Sequence, residues 1–165
     1  MEYNVMLFED RVSIRVPLIT KIGEKKMNVF ACRNVYEAND IWKKNHSLID
    51  AIVLDIMMSS KGLAQGNREG TKAGLLSGWV WLWKELNGGA QDIHPTAGIL
   101  KIIYTAYDDE LKSYIREECK DEKEKAFYNC EDVNIVNKSE DMNEIVKMLE
   151  SNRNAKAKAQ AQAQG

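Results

Sequence analysis

The chain has 165 residues, a formal net charge of -2 and a pI near 5.8, which fits one domain with a sizeable core and leaves no basic footprint for nucleic acid or an anionic membrane. No apolar run approaches the roughly 20 residues that cross a bilayer, and the start Met1-Glu2-Tyr3-Asn4 lacks the basic opening of a signal peptide. Cys32, Cys119 and Cys130 are odd in number and lack CxxC spacing, so they read as free thiols of a reducing cytosol.

Tyr3 to Phe8 is the first buried strand, and it runs into Glu9-Asp10. Next comes a helix with Val12, Val16, Ile19 and Ile22 on one face and Asp10 or Ser13 as its cap. Pro17 removes a backbone donor there, and the alternation Val12/Ile14/Val16 also permits a strand. Met27 to Cys32 is strand two, and Val35 to Lys44 a helix carrying Val35, Ala38, Ile41 and Trp42 inward. His46 and His94 stand alone in polar, turn-like stretches and read as surface residues. Ile52-Val53-Leu54 is strand three, ending at Asp55. Residues 59–74 hold four glycines (Gly62, Gly66, Gly70, Gly74) among polar residues and read as a long loop. Leu75, Leu76, Trp79, Leu82, Trp83 and Leu86 then follow helical spacing up to Asn87-Gly88-Gly89, with Trp81 off the stripe and expected outside. Ile99 to Tyr104 is strand four, ending at Thr105-Ala106. Asp108 is placed to cap a helix with Leu111, Tyr114, Ile115 and Cys119 inward, and Lys120 to Lys125 reads as its solvated end. Val133 to Asn137 is strand five, ending at Lys138. Ser139 is the expected cap of the last helix, where Met142, Ile145, Val146 and Leu149 repeat at helical spacing. Residues 1–152 thus form the domain, and 153–165, rich in Ala, Lys and Gln, are a low-complexity tail: a frayed helical extension or the start of a linker.

Five strands alternating with helices predict a three-layer, doubly wound α/β domain built on a parallel sheet. Right-handed crossovers put every strand C-terminus on one edge, where open α/β sheets bind ligands. Glu9-Asp10, Asp55, Thr105 and Lys138 all fall at such ends. Their chemistry fits phosphoryl transfer. Asp10 and Asp55, with Glu9 directly or through water and the backbone carbonyl of Met57, can hold Mg2+. Asp55 is a carboxylate able to attack phosphorus. Thr105 and Lys138 can share the phosphoryl oxygens with the metal, and Ala106 leaves space beside the acceptor.

The pattern resembles the receiver domain of two-component response regulators, with its flavodoxin-like strand order 2-1-3-4-5. The residues that carry the resemblance are Glu9-Asp10, Leu54-Asp55-Ile56-Met57-Met58, Thr105-Ala106, Lys138 and Glu37-Ala38 of the second helix. It implies Asp55 as phosphoacceptor, Glu9 and Asp10 as metal acids, Thr105 as switch hydroxyl and Lys138 as phosphate-binding lysine. It also implies a cytoplasmic phosphoprotein that takes its phosphoryl group from a histidine kinase or a phosphotransfer protein and catalyses only its own phosphorylation and dephosphorylation. Its output would be a downstream protein partner or an output domain beyond this segment. A homodimer is compatible with the family, and neither nucleic acid nor membrane is expected to bind this segment. The chain departs from the family at Ser139, where a proline with a cis bond is usual, and at Ile135, where many receivers carry an aromatic switch residue. The spacings of 50 residues from Asp55 to Thr105 and 33 from Thr105 to Lys138 are long, the excess falling in the glycine-rich loop and around Lys120 to Glu131.

Two other readings compete. A receiver-like interaction module that is never phosphorylated would keep the fold and use the loop or the tryptophan helix for contacts. An aspartyl-nucleophile phosphohydrolase would want a second Asp two residues after the first, where this chain has Met57.

Overall fold

The computed structural model describes residues 2–68, 71–88 and 96–163; Gly70, Gly89 and His94 lie outside them. Five strands, β1 (Asn4–Phe8), β2 (Asn28–Cys32), β3 (Ala51–Leu54), β4 (Leu100–Thr105) and β5 (Val133–Asn137), form one sheet in the order β2-β1-β3-β4-β5. All four pairings are parallel. The sequence reading of a 2-1-3-4-5 sheet is therefore the observed fold.

Period-2 alternation divides each inner strand between two cores. Met6, Phe8, Ile52, Leu54 and Ile103 face one layer, while Val5, Leu7, Val53, Ile102 and Tyr104 face the other. The second layer consists of α1 (Val12–Glu24) and α6 (Met142–Ala163), which supply Leu18, Ile22, Ile145, Val146 and Leu149. The first holds α2 (Val35–Asn45) and α3, which is α-helical over Ser77–Val80 and continues in π turns over Trp81–Leu86. It also holds α4, which is α-helical over Asp108–Ser113 with π turns over Tyr114–Glu118, and α5 (Glu122–Tyr128).

Several local expectations are corrected. In α1 the buried stripe is Leu18 and Ile22 with half-buried Ile14 and Ile19, while Val12 and Val16 are 61% and 51% exposed. Neither Asp10 nor Ser13 caps it: the N-cap is Arg11, with no side-chain bond. Trp81 is fully buried, not exposed, with its indole N–H donating to Asn39 Oδ1 at 2.8 Å and its ring edge-on to Phe8 at 5.2 Å. The cause is that α3 is enclosed all round, Ser77 to Trp83 being buried without a break, so a position off the 3.6 stripe meets core as well. Asp108 lies inside the first turn of α4, salt-bridged to Lys112, and Tyr107 is the N-cap. The cap of α6 is Asp141, whose Oδ1 accepts from Asn143 N at 3.0 Å; Ser139 stands outside the helix. Lys120 to Lys125 is not a solvated helix end. Asp121 caps a separate helix, α5, and Glu124 within it is only 3% exposed.

The described residues of 59–68 and 71–74 are more structured than a glycine-rich loop. They include a helical turn at Gln65–Arg68, and Leu63 and Thr71 are buried. At the other end of the chain α6 continues to Ala163, and its extension returns to the N-terminal edge of the sheet. Arg153 donates to Lys25 O at 2.7 Å, Lys156 pairs with Asp50 at 2.9 Å, and Tyr3 Oη donates to Asn152 Oδ1 at 2.6 Å.

Candidate functional site

The residues at the C-terminal edge are held in line by the sheet itself. The ladder runs one step past the strand ends: Glu9 N–H donates to Cys32 O at 3.1 Å, Asp55 N–H to Phe8 O at 2.9 Å, and Lys138 N–H to Thr105 O at 2.9 Å. Each site residue therefore leaves its strand with its backbone already satisfied and its side chain free for chemistry.

The side chains converge on one ammonium. Lys138 Nζ lies 2.6 Å from Glu9 Oε2 and 2.6 Å from Asp55 Oδ2, all three side chains being buried. It also sits over the Tyr104 ring, 5.7 Å from the centroid. The remaining carboxylate oxygens are fixed by backbone: Glu9 Oε1 accepts from Arg11 N at 3.0 Å, and Asp55 Oδ1 from Met57 N at 3.1 Å. Burial pushes the Glu9 carboxyl above its ordinary value; the hydrogen bond and charge of Lys138 oppose that rise without cancelling it.

Asp10 is the exposed member of the group. One oxygen from each of Glu9, Asp10 and Asp55 lies within 4.8 Å of the others. Three carboxylates around a single lysine leave an excess of negative charge, and hard oxygen donors so placed fit a small divalent cation that keeps several waters.

Thr105 closes β4 in register with Asn137 and is fully buried, its hydroxyl accepting from Tyr107 N at 3.2 Å. Ala106 is exposed beside it. Glu9, Asp10, Asp55 and Lys138 thus meet in one cluster, with Met57 bound to Asp55 through its amide and Thr105 joined to Lys138 through the backbone. Arg68 and Lys72 of the 59–74 segment are engaged away from this cluster. Arg68 donates to Leu63 O, and Lys72 pairs with Glu118 and stacks over Tyr114.

Two residues of the site escaped the sequence reading. Arg15, one turn into α1, donates through Nη1 to both Glu9 O and Asp10 O at 2.8 Å and so clamps the acidic turn. Gly78 begins α3 against the acceptor: its N–H donates to Ile56 O at 2.9 Å, and a Cβ at this position would lie 2.0 Å from Asp55 O. An arginine one turn after the acids, and a glycine where a helix was predicted to be under way, were the only signals available.

No protein-family model matches the chain, and no curated protein sequence matches it. Solved structures do: the five-stranded parallel sheet, in the order 2-1-3-4-5, is that of signal receiver domains. The signal receiver domain of a putative Luxo repressor protein from Vibrio parahaemolyticus matches with a TM-score of 0.58 at 14% identity, covering 100% of this chain and 99% of that one. The Francisella response regulator 1452 receiver domain gives 0.58 at 17% identity, covering 94% and 99%. A co-crystal structure of the Saccharomyces cerevisiae histidine phosphotransfer signaling protein Ypd1 with the receiver domain of its downstream response regulator Ssk1 gives 0.50 at 16%, covering 90% and 86%. At such identities the likeness is one of fold, and the chain has the receiver fold.

Proposed function

We propose that this chain is a phosphoacceptor switch of a two-component or phosphorelay system, with Asp55 as the residue phosphorylated. The observation that carries the reading is the Lys138 ammonium bridging Asp55 and Glu9 at the C-terminal edge of a receiver-type sheet. Asp55 Oδ1 is held by the Met57 amide, so Oδ2, the oxygen facing Lys138, is the nucleophile. Its attack forms the Oδ2–P bond and breaks the bond from phosphorus to its donor. With a phosphohistidine donor, the imidazole protonated on its other nitrogen departs as the neutral ring. Lys138 then exchanges the carboxylate for a phosphoryl oxygen, neutralising charge where it develops. Thr105 offers its hydroxyl to another such oxygen, and Arg15 keeps the acidic turn in place.

Glu9, Asp10 and Asp55, with the Met57 carbonyl, would hold Mg2+, which supplies charge neutralisation for the incoming phosphoryl group. The partners follow from this chemistry: a histidine kinase or histidine phosphotransfer protein as donor, and a protein that reads the phosphorylated state. The protein would act in the cytoplasm; no helix of the described residues is long and apolar enough to cross a membrane.

The test is Asp55→Asn, which keeps the shape and loses the nucleophile. With Mg2+ and a small phosphodonor such as acetyl phosphate, the wild type should gain one phosphoryl group, stable in acid and released by hydroxylamine, while the variant stays folded and gains none. A variant that still took up such a group would refute the assignment. Steady turnover of a phosphomonoester by the wild type, with no aspartyl phosphate accumulating, would favour a phosphohydrolase.

A further inference from the structure

The added stretch around 120–131 packs against α3 on one side of the site. The meeting point is a buried carboxylate. Glu124 Oε1 accepts the Trp79 indole N–H at 2.6 Å, and burial together with the charge of this nearby carboxylate pushes the Tyr114 hydroxyl and Cys119 thiol up. Burying a carboxylate is costly unless its oxygens are satisfied. Here the Trp79 indole does so for Oε1, and Trp79 and Tyr114 belong to two different elements.

Both elements start at the site. Trp79 directly follows Gly78, the residue seated on the Asp55–Ile56 backbone. Tyr114 and Cys119 belong to the far end of α4 and its exit, and α4 begins at Asp108, directly after Tyr107, whose amide the Thr105 hydroxyl takes. Glu124 is therefore where two arms from one edge rejoin. The Trp79 ring also packs against Phe127 at 5.7 Å and Tyr128 at 5.9 Å. Tyr128 in turn lines an open surface cavity of about 320 Å³ with Lys112, Ile115, Arg116, Lys125 and Asn129. At β5, where many receivers have an aromatic switch, Ile135 can make no such toggle.

We propose that Glu124 is a positioning residue that couples the occupancy of Asp55 to the α4–α5 surface, through the Trp79 indole that its carboxylate holds. The inference rests on Asp55 being the phosphoacceptor. A phosphoryl group adds a charge of about -1.5 to -2 and three acceptor oxygens at the edge. Lys138 and Thr105 turn toward it, and the Asp55–Ile56 backbone adjusts beneath Gly78. Movement of α3 reaches Glu124 through the Trp79 hydrogen bond. Close-packed contacts convert such small shifts into discrete rearrangements, and the wall carrying Tyr128 moves with them.

The experiment follows indole and amide N–H signals by NMR on the full chain, with Mg2+, before and after addition of beryllofluoride as the phosphoryl mimic. In the wild type the Thr105 and Lys138 amides, the Trp79 indole and the amides from Glu124 to Tyr128 should all shift. Glu124→Gln keeps a carbonyl acceptor for the indole and should keep the whole response. Trp79→Phe keeps a ring and loses the donor; it should retain the shifts at Thr105 and Lys138 and lose those at 124–128. Shifts at Thr105 and Lys138 alone in the wild type would overturn the coupling and leave the phosphoacceptor intact. A full response at 124–128 in Trp79→Phe would overturn it as well. No shift anywhere, with no beryllofluoride bound, would refute the phosphoacceptor reading itself and the coupling with it.

Discussion

Gly78→Ala adds a single methyl group at the most crowded backbone contact near the candidate site. The added carbon would lie 2.0 Å from Asp55 O, 2.9 Å from Ile56 Cα and 3.0 Å from the Asp55 carbonyl carbon. Its neighbours are backbone atoms, so no side chain can swing aside. To reach a separation of 3.0 Å from that oxygen, α3 must retreat by about 1 Å, which strains the hydrogen bond from Gly78 N to Ile56 O. Alanine gains at most about 1 kcal/mol in helix propensity over glycine. Overpacking costs about 1–3 kcal/mol, and weakening a buried backbone hydrogen bond costs about as much again. The collision wins, with a net loss of about 2–4 kcal/mol. For a domain of this size the corresponding fall in Tm is about 5–15 °C. Thermal unfolding followed by circular dichroism measures it, with Gly23→Ala as the matched control. Gly23 lies near the end of α1 with nothing within 4 Å of an added Cβ, so the same chemical change there should be neutral or mildly stabilising. A Gly78→Ala protein melting within a degree of the wild type would refute the reasoning.

Lys138→Ala leaves Glu9 and Asp55 buried without their ammonium and should destabilise the fold at pH 7 by about 3–5 kcal/mol in denaturant titrations, a deficit that millimolar Mg2+ partly restores. It should also shrink as pH falls. Losing Lys138 lifts a Glu9 pKa that burial already raises, and a carboxyl with a raised folded pKa favours the fold below its unfolded value and weakens it as pH rises through the folded one. Arg33→Ala should raise the Glu37 pKa from about 2 toward its ordinary 4.5 in an NMR titration, since the Arg33 hydrogen bond is the main cause of the depression. The stability it contributes is present above 4.5 and lost toward pH 2, and is small because the pair is exposed. Ending the chain after Asn152 removes Arg153 and Lys156 from their partners and should lower Tm by a few degrees, for about 1–2 kcal/mol, whereas ending it after Lys156 should leave Tm unchanged.

The sheet was legible because parallel strands buried on both faces are written as short apolar runs, and the chemistry stood at their ends: Asp55 after Ile52-Val53-Leu54, Lys138 after Val133 to Asn137. What failed depended on distant partners. The apolar residues of α1 fit two helical stripes, and only packing against α6 selects Leu18 and Ile22 over Val12 and Val16. Glu124 sits in a run of charges and looks solvated, until Trp79, 45 residues away, brings it an indole donor. Trp81 required knowing that α3 is enclosed on all sides. Lys101 shows the same limit: it lies within a strand yet is 2% exposed, because Asp132 meets its ammonium at 2.6 Å.

The tryptophans of α3 carry one more consequence. Trp79, Trp81 and Trp83 are each fully buried although they stand at alternate positions of a single helix. They are held from different quarters: Trp81 by Asn39 of α2, Trp79 by Glu124 of α5, and Trp83 against Phe127 at 5.2 Å. Surrounded in this way, the indole rings have no outward face to lend to another molecule, so natural variation that retunes partner choice has to accumulate on the outer helices. The central helix, by contrast, resists stepwise drift. A change at any of its indoles needs a matching change in a separately encoded stretch of the chain, and descendants of this protein should keep the three tryptophans and their distant partners together or lose them together.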